Sequence, residues 1–202
     1  ALNPMSGECE RASFGYDPAA IAEWALSFEE PRAVYESGVT GFHLCRTLRA
    51  LGLDCVVGAV SKMQRPAADR GRKTDRRDAE FLARLLATRN VVEVWVPDES
   101  TEAARDLSRA LADARDDLQR AKQRMSKFLL RHGHVFDETT PTGARKGNWT
   151  RAYWRWADAI EFAEADDAAA YEHYRDCVRR CQEARDALAR RVAESAGRPG
   201  WK

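Results

Sequence analysis

The sequence predicts an α/β layered domain followed by a long coiled-coil helix and a helical C-terminal segment. Three observations carry this expectation. Strand-like and helix-like stretches alternate over roughly the first half of the chain, the pattern of a layered sheet-and-helix unit. From Asp98 onward Leu107, Leu111, Ala114, Leu118, Ala121, Met125 and Phe128 recur with spacings of 4, 3, 4, 3, 4 and 3, the seam of a coiled coil or helical hairpin. A stretch of Thr, Pro, Gly and basic residues from Asp137 to Gly147 then separates that helix from two further helical patterns.

Taken in order, Glu8 to Phe14 reads as a strand. Ala1 to Ser6 precede it without an initiator methionine or any element to pair with it, so an upstream segment is expected. Asp17 and Pro18 read as N-cap and first residue of a helix through Phe28, with Ile21, Trp24, Ala25 and Phe28 on one face. Arg32 to Glu36 is a strand, and Val39 to Leu51 a helix closed by Gly52. The valine-rich run Asp54 to Val60 suits a strand covered on both faces. Ser61 to Thr74 is a polar, basic loop; a helix from Asp75 to about Arg89 and a strand from Val91 to Val96 follow, ended by Pro97. The long helix runs to about Arg131, roughly 50 Å at 1.5 Å per residue, with Gly133 as its stop. Helices from Thr150 to Phe162 and from Ala168 to Ser195 complete the chain, so the expected domains are 1–97, the helix 98–136, a linker 137–149 and a helical segment 150–196.

The chain has 202 residues, 44% of them hydrophobic, enough for one medium core or a compact domain with a helical extension. Cys9, Cys45, Cys55, Cys177 and Cys181 show no CxxC spacing, which argues against a disulfide framework or zinc ribbon and for a reducing cytoplasm. No apolar run approaches the ~20 residues of a membrane span. The net charge of +1 hides segregation: Lys62 to Arg77 holds seven basic and two acidic residues, Arg120 to Arg131 five basic and no acidic, and Asp158 to Asp176 seven acidic and one basic.

Three carboxylates are candidates for chemistry. Glu36 ends a strand, where an α/β sheet opens its carboxyl-end crevice. Asp75 and Asp78 lie three apart at a helix start and can face the same way. Such oxygen donors suit Mg²⁺ or Mn²⁺, and two cations about 4 Å apart can clamp the attacking and leaving oxygens of a phosphodiester. The competing reading makes Asp75 an N-cap and Asp78 the N3 residue, both favoured by the helix dipole without any metal.

Tyr35 to Phe42, Leu48 to Gly52, Lys73 to Ala79, Val94 to Pro97 and Lys127 to Gly133 closely resemble, in this order, the insertion-sequence 110 family of transposases, over most of residues 8 to 162. Each piece is weak alone, and the ordered set is specific. The resemblance implies a ribonuclease-H/RuvC-like layered domain with an Asp-Glu-Asp-Asp tetrad that binds Mg²⁺. The tetrad's Glu falls on Glu36 and its last two Asp on Asp75 and Asp78. No residue matches the family's first Asp, which the resemblance places on an opening strand upstream of Glu8, and the family's C-terminal domain with its nucleophilic serine is likewise expected outside these residues. For the full protein the resemblance implies a transposase or recombinase that acts on DNA with a structured guide RNA. The fragment itself is expected to be inactive.

Arg65, Arg70, Arg72, Lys73, Arg76 and Arg77 would neutralise phosphates beside the carboxylates, and Arg124, Lys127 and Arg131 would do so along the long helix, with affinity falling steeply in salt. A solvated charged surface is the plain alternative. The apolar seam needs a partner helix, either Ala168 to Ser195 in cis or, as the resemblance favours, the same helix of a second copy in a homodimer. Trp149, Tyr153, Trp154 and Trp156 read better as a small aromatic core than as a base-stacking platform. His173, Cys177 and Cys181 recur every four residues, a weak zinc pattern, and His132 and His134 flank a helix stop. Two functional readings follow: a nuclease-type transposase fragment, or a catalytically dead module that binds nucleic acid and dimerises. A small-molecule phosphate enzyme has no glycine-rich loop to support it.

Overall fold

A computed structural model describes residues 1–38, 40–63 and 74–197, apart from the Asp75 side chain. They form two compact units, Ala1–Asp98 and the residues from Glu99 onward.

In the first unit, α1 (Pro18–Leu26) starts where expected, because the Asp17 carboxylate accepts from the Ala19 and Ala20 amides at 3.0 and 3.1 Å. The strands β1 (Arg32–Glu36) and β2 (Asp54–Gly58) pair in parallel with Arg32 opposite Asp54 and Glu36 opposite Gly58. Between them lies α2 (His43–Ala50). It begins four residues later than the sequence pattern indicates. Gly41 adopts φ +59, and its amide bonds back to the Gly38 carbonyl at 3.2 Å, so a turn occupies the start of the predicted helix. Gly52, at φ +91, ends α2, with the Leu53 amide reaching back to the Leu48 carbonyl at 3.0 Å.

Side-chain alternation gives the two-stranded sheet two distinct faces. Ala33, Tyr35, Cys55 and Val57 join Ala22 of α1 and Cys45 and Leu48 of α2 in one core. Arg32, Val34 and Glu36, with Val56 and Gly58, therefore line the opposite face. That face is packed as well: a Cβ on Gly58 would stand 3.0 Å from Met63 Cε and 3.4 Å from Val34 Cγ2. After β2 comes a short 3-10 turn, Val60–Lys62, and then α3 (Asp75–Ala87) packs against β1.

Two predicted strands are absent. Glu8 to Phe14 forms no ladder; Leu2 and Cys9 make a single antiparallel bridge around a turn at Gly7, φ +76, and the segment is largely exposed. Without a buried face, nothing repays the ordering of a strand. Val91 to Val96 lies beside β2 but makes only the Gly58–Glu93 bridge, with the Ala59 amide on Val92 O and the Val94 amide on Val57 O, both at 2.8 Å. On one side β2 has already turned into the 3-10 segment, and on the other Pro97 has no N–H to continue the ladder.

The second unit contains α4 (Glu99–Arg131), α5 (Arg151–Asp158) and α6 (Ala165–Ala196). α4 and α6 run antiparallel: His132 Nε2 sits 3.7 Å from Asp167 Oδ1, and the Phe128 ring packs on Tyr171 and Tyr174. Leu118, Ala121, Met125 and Phe128 of the seam bury themselves with Tyr171 and Val178 of α6 and with Tyr153 and Ala157 of α5. The chain thus supplies a cis partner for this part of the seam. Gly133, φ +77, stops α4, with the His134 amide bonded to Leu129 O at 2.9 Å. α5 is shorter than the pattern from Thr150 to Phe162, because Ala159 closes it.

Burial weakens three tyrosines and one thiol as acids. Desolvation pushes Tyr35, Tyr153 and Tyr171 up to about 12, and burial beside Cys45 pushes Cys55 up to about 12. Each group is neutral when protonated and costs more to ionise in the fold, so its contribution is fully present below its unfolded value and is lost as pH rises through the folded one. Thermal melts should therefore hold steady to about pH 9 and fall steadily towards pH 12. Met125→Ala should lower stability in urea by about 2–5 kcal/mol, whereas Leu130→Ala, at a side chain 65% exposed, should change it by under about 0.5 kcal/mol.

Candidate metal and nucleic-acid site

β1 presents Glu36 at its carboxyl end, exposed and opposite Gly58, with the next amide, Ser37 N–H, donating to Gly58 O at 3.0 Å. Parallel pairing thus fixes the backbone on both sides of this glutamate. Its side chain belongs to the face of Arg32 and Val34, away from α1 and α2. α3 adjoins that face, because its Leu86 and the following Arg89 line a small surface pocket together with Arg32, Val91 and Glu93.

The start of α3 differs from the capping scheme expected from sequence. Thr74 is the N-cap, its Oγ1 accepting from the Arg77 amide at 3.3 Å, while the Asp78 amide bonds to the Thr74 carbonyl at 3.1 Å. Asp75 is then the first helical residue and Asp78 the fourth. Capping is performed by the threonine, so neither aspartate is needed for it. Asp78 is half-buried and engaged in a contact of its own, and Asp75 lies outside the residues whose side chains are described.

The structure brings together the elements that carry Glu36 and Asp78, since α3 packs against β1. Among the described residues no three His, Cys, Asp or Glu side chains form a group able to hold a metal ion. Within the predicted trio the description covers Glu36 and Asp78, both oxygen donors of the kind hard cations take. His173 Nε2 lies 3.6 Å from Cys177 Sγ, and with Cys181 these residues make no metal group either.

Of the predicted basic residues, Arg65, Arg70, Arg72 and Lys73 lie outside the described residues. Arg76 and Arg77 are exposed in the first turn of α3, and Arg76 Nε meets Glu80 Oε1 at 3.3 Å. Sequence reasoning missed Glu80, which also takes Arg11 at 2.9 Å and is held below the usual carboxylate range first by Arg11 and then by Arg76. The i,i+4 spacing of Arg76 and Glu80 was a readable signal; the Arg11 contact, 69 residues away, was not. Arg124, Lys127 and Arg131 are all exposed on α4, with the Arg131 guanidinium 5.6 Å from the Phe128 ring centre. The tryptophans are occupied: Lys122 Nζ lies 5.2 Å over Trp149 and the Arg179 guanidinium 5.1 Å over Trp154, so these rings belong to the packing of their unit.

With this geometry in place, comparison with known proteins decides the family. The model of the DEDD transposase family of IS110 type, described as "Transposase", matches residues 19–133. The chain belongs to the IS110-type DEDD transposase family. It is 40% identical over 156 residues to a putative transposase, y4qE, of Sinorhizobium fredii (strain NBRC 101917 / NGR234), a match covering 77% of this chain and 38% of that protein. It is 34% identical over 177 residues to the transposase for insertion sequence element IS1533 of Leptospira borgpetersenii, covering 87% of this chain and 49% of the relative. The chain therefore spans between 38% and 49% of the length of these curated relatives. No solved structure matches it. The first unit mixes helices and strands, and among the described residues no helix is long and apolar enough to cross a membrane.

The capping assignment has a direct test in this transposase chain. Thr74→Ala should cost about 1 kcal/mol in urea unfolding, and Thr74→Asp, which keeps a capping oxygen, should cost a few tenths at most.

Proposed function

We propose that this chain is the front part of an insertion-sequence transposase in which Glu36, Asp75 and Asp78 hold a divalent cation, Mg²⁺ or Mn²⁺, and the surrounding arginines grip a nucleic-acid backbone. The observation that carries the reading is that α3, bearing both aspartates in its first turn, packs against the strand whose carboxyl end bears Glu36, within a stretch that matches the transposase family model. When bound, such a cation supplies charge neutralisation and orientation at the scissile phosphodiester. The chain's own residues then have separable roles. The backbone of Glu36 is fixed by the β1–β2 ladder, and Asp75 and Asp78 stand three apart in sequence at the start of a helix capped by Thr74.

Arg65, Arg70, Arg72, Lys73, Arg76 and Arg77 position phosphates without reading sequence, and Arg124, Lys127 and Arg131 form a basic stripe of their own on α4. These three follow a 3, 4 spacing, which puts them on one helix stripe about 10 Å long. DNA is the substrate this reading assigns, with a structured guide RNA as the partner. Completion of the tetrad and of strand exchange is assigned to parts of the full-length protein other than those here, and the cytoplasm is its place of action. A homodimer through α4 would have to use surface other than the Leu118 to Phe128 seam, which α6 covers.

The test is cleavage of branched DNA with Mg²⁺ by a full-length protein carrying this segment. Glu36→Gln and Asp78→Asn should each lower the rate by at least about a hundredfold, as expected when a group that stabilises transition-state charge is removed, while retaining DNA binding. Full activity in either variant would refute the assignment. The alternative, a catalytically dead binding module, is favoured if the unsubstituted protein shows no Mg²⁺-dependent cleavage yet binds DNA.

A further inference from the structure

We propose that Glu80 is a positioning residue that divides its carboxylate between Arg11 and Arg76, so that the grip of Arg11 sets how much of the charge on Arg76 is left for a nucleic-acid phosphate. The inference rests on the reading that the first turn of α3 meets a nucleic-acid backbone. One oxygen, Glu80 Oε1, receives both guanidinium groups. Arg11 Nε and Nη2 approach it at 2.9 Å each, and Arg76 Nε at 3.3 Å. The contest is unequal. Arg11 donates one short bond from Nε and holds Nη2 equally close to the same oxygen, a charge-assisted contact shorter than the single bond of Arg76, whose side chain stays 67% exposed to water.

The two cations also differ in origin. Arg76 sits one helical turn before Glu80, an order of charges less favourable than the reverse. Arg11 arrives from the segment ahead of α1, 69 residues away, so its contact depends on the tertiary fold. With Arg11 in place, Glu80 is largely satisfied and Arg76, held by one longer bond, keeps most of its charge for another anion, next in sequence to Asp75. Were Arg11 removed, Glu80 would be left to Arg76 alone and would neutralise it. A phosphate approaching the helix start then competes with a carboxylate for that guanidinium.

Glu80→Gln and Arg11→Gln should therefore act in opposite directions, although each breaks the same ion pair. The probe is a fluorescein-labelled 20-base-pair duplex, followed by anisotropy with the full chain across a salt series. Glu80→Gln should tighten binding roughly threefold at low salt and steepen the log–log salt slope by up to about 0.9, the value of one added phosphate contact. Arg11→Gln should weaken binding by a similar factor and flatten the slope. In an Arg76→Gln background both effects should vanish. Weaker binding by both variants means that the pair only docks α3, and overturns the proposal. An effect of Arg11→Gln that persists without Arg76 overturns it too, by showing that Arg11 meets phosphate itself. If the unsubstituted chain fails to bind the duplex even at low salt, the nucleic-acid reading of this helix start falls, and this inference with it.

Discussion

The parallel pairing of two five-residue strands is the constraint on which the first unit depends. A parallel pair cannot close with a tight turn, so the chain must leave the sheet, and α2 fills the crossover. Once paired, β1 and β2 turn Ala33, Tyr35, Cys55 and Val57 towards α1 and α2, and by alternation they commit Glu36 to the other face. A slip of one residue would exchange the faces, burying a carboxylate against the Cys45 core and exposing Tyr35. The position of the candidate carboxylate thus follows from the same register that makes the core.

The second unit obeys a different rule. A 33-residue amphipathic helix has little reason to be stable alone, and the α4 seam finds α6 running antiparallel beside it. The aromatic residues of α5 fill the space at this contact, and cations lie over the faces of Trp149 and Trp154. Arg175 and Arg179 share Asp158 Oδ1, which ties the last residue of α5 to α6. The exposed Arg124 and Lys127 are left outside this network, while the exposed Arg131 lies over the Phe128 ring at its edge.

Much of this was legible in the sequence because it depends on local chemistry. The 4-3 spacing located α4, Asp17-Pro18 located α1, and Gly52 and Gly133 marked helix ends through conformations that glycine adopts readily. What was not legible depends on distant partners. Val91 to Val96 has the composition of a strand, yet it makes only one bridge because Pro97 and the turn after Gly58 limit its ladder. Likewise the sequence offered Asp75 as an N-cap, and only backbone geometry shows Thr74 in that role. The candidate site stood in the sequence as an expectation, one glutamate and two aspartates in an ordered pattern. That Arg76 shares Glu80 with Arg11 required the fold.

The central claim is that a strand-end glutamate and two helix-start aspartates serve one cation. Electron paramagnetic resonance of Mn²⁺ titrated into the chain measures this directly, since bound and free ions give separable signals. The account predicts that Glu36→Gln and Asp78→Asn each abolish the same bound fraction. Mn²⁺ bound equally well by the chain with and without Glu36→Gln would contradict it.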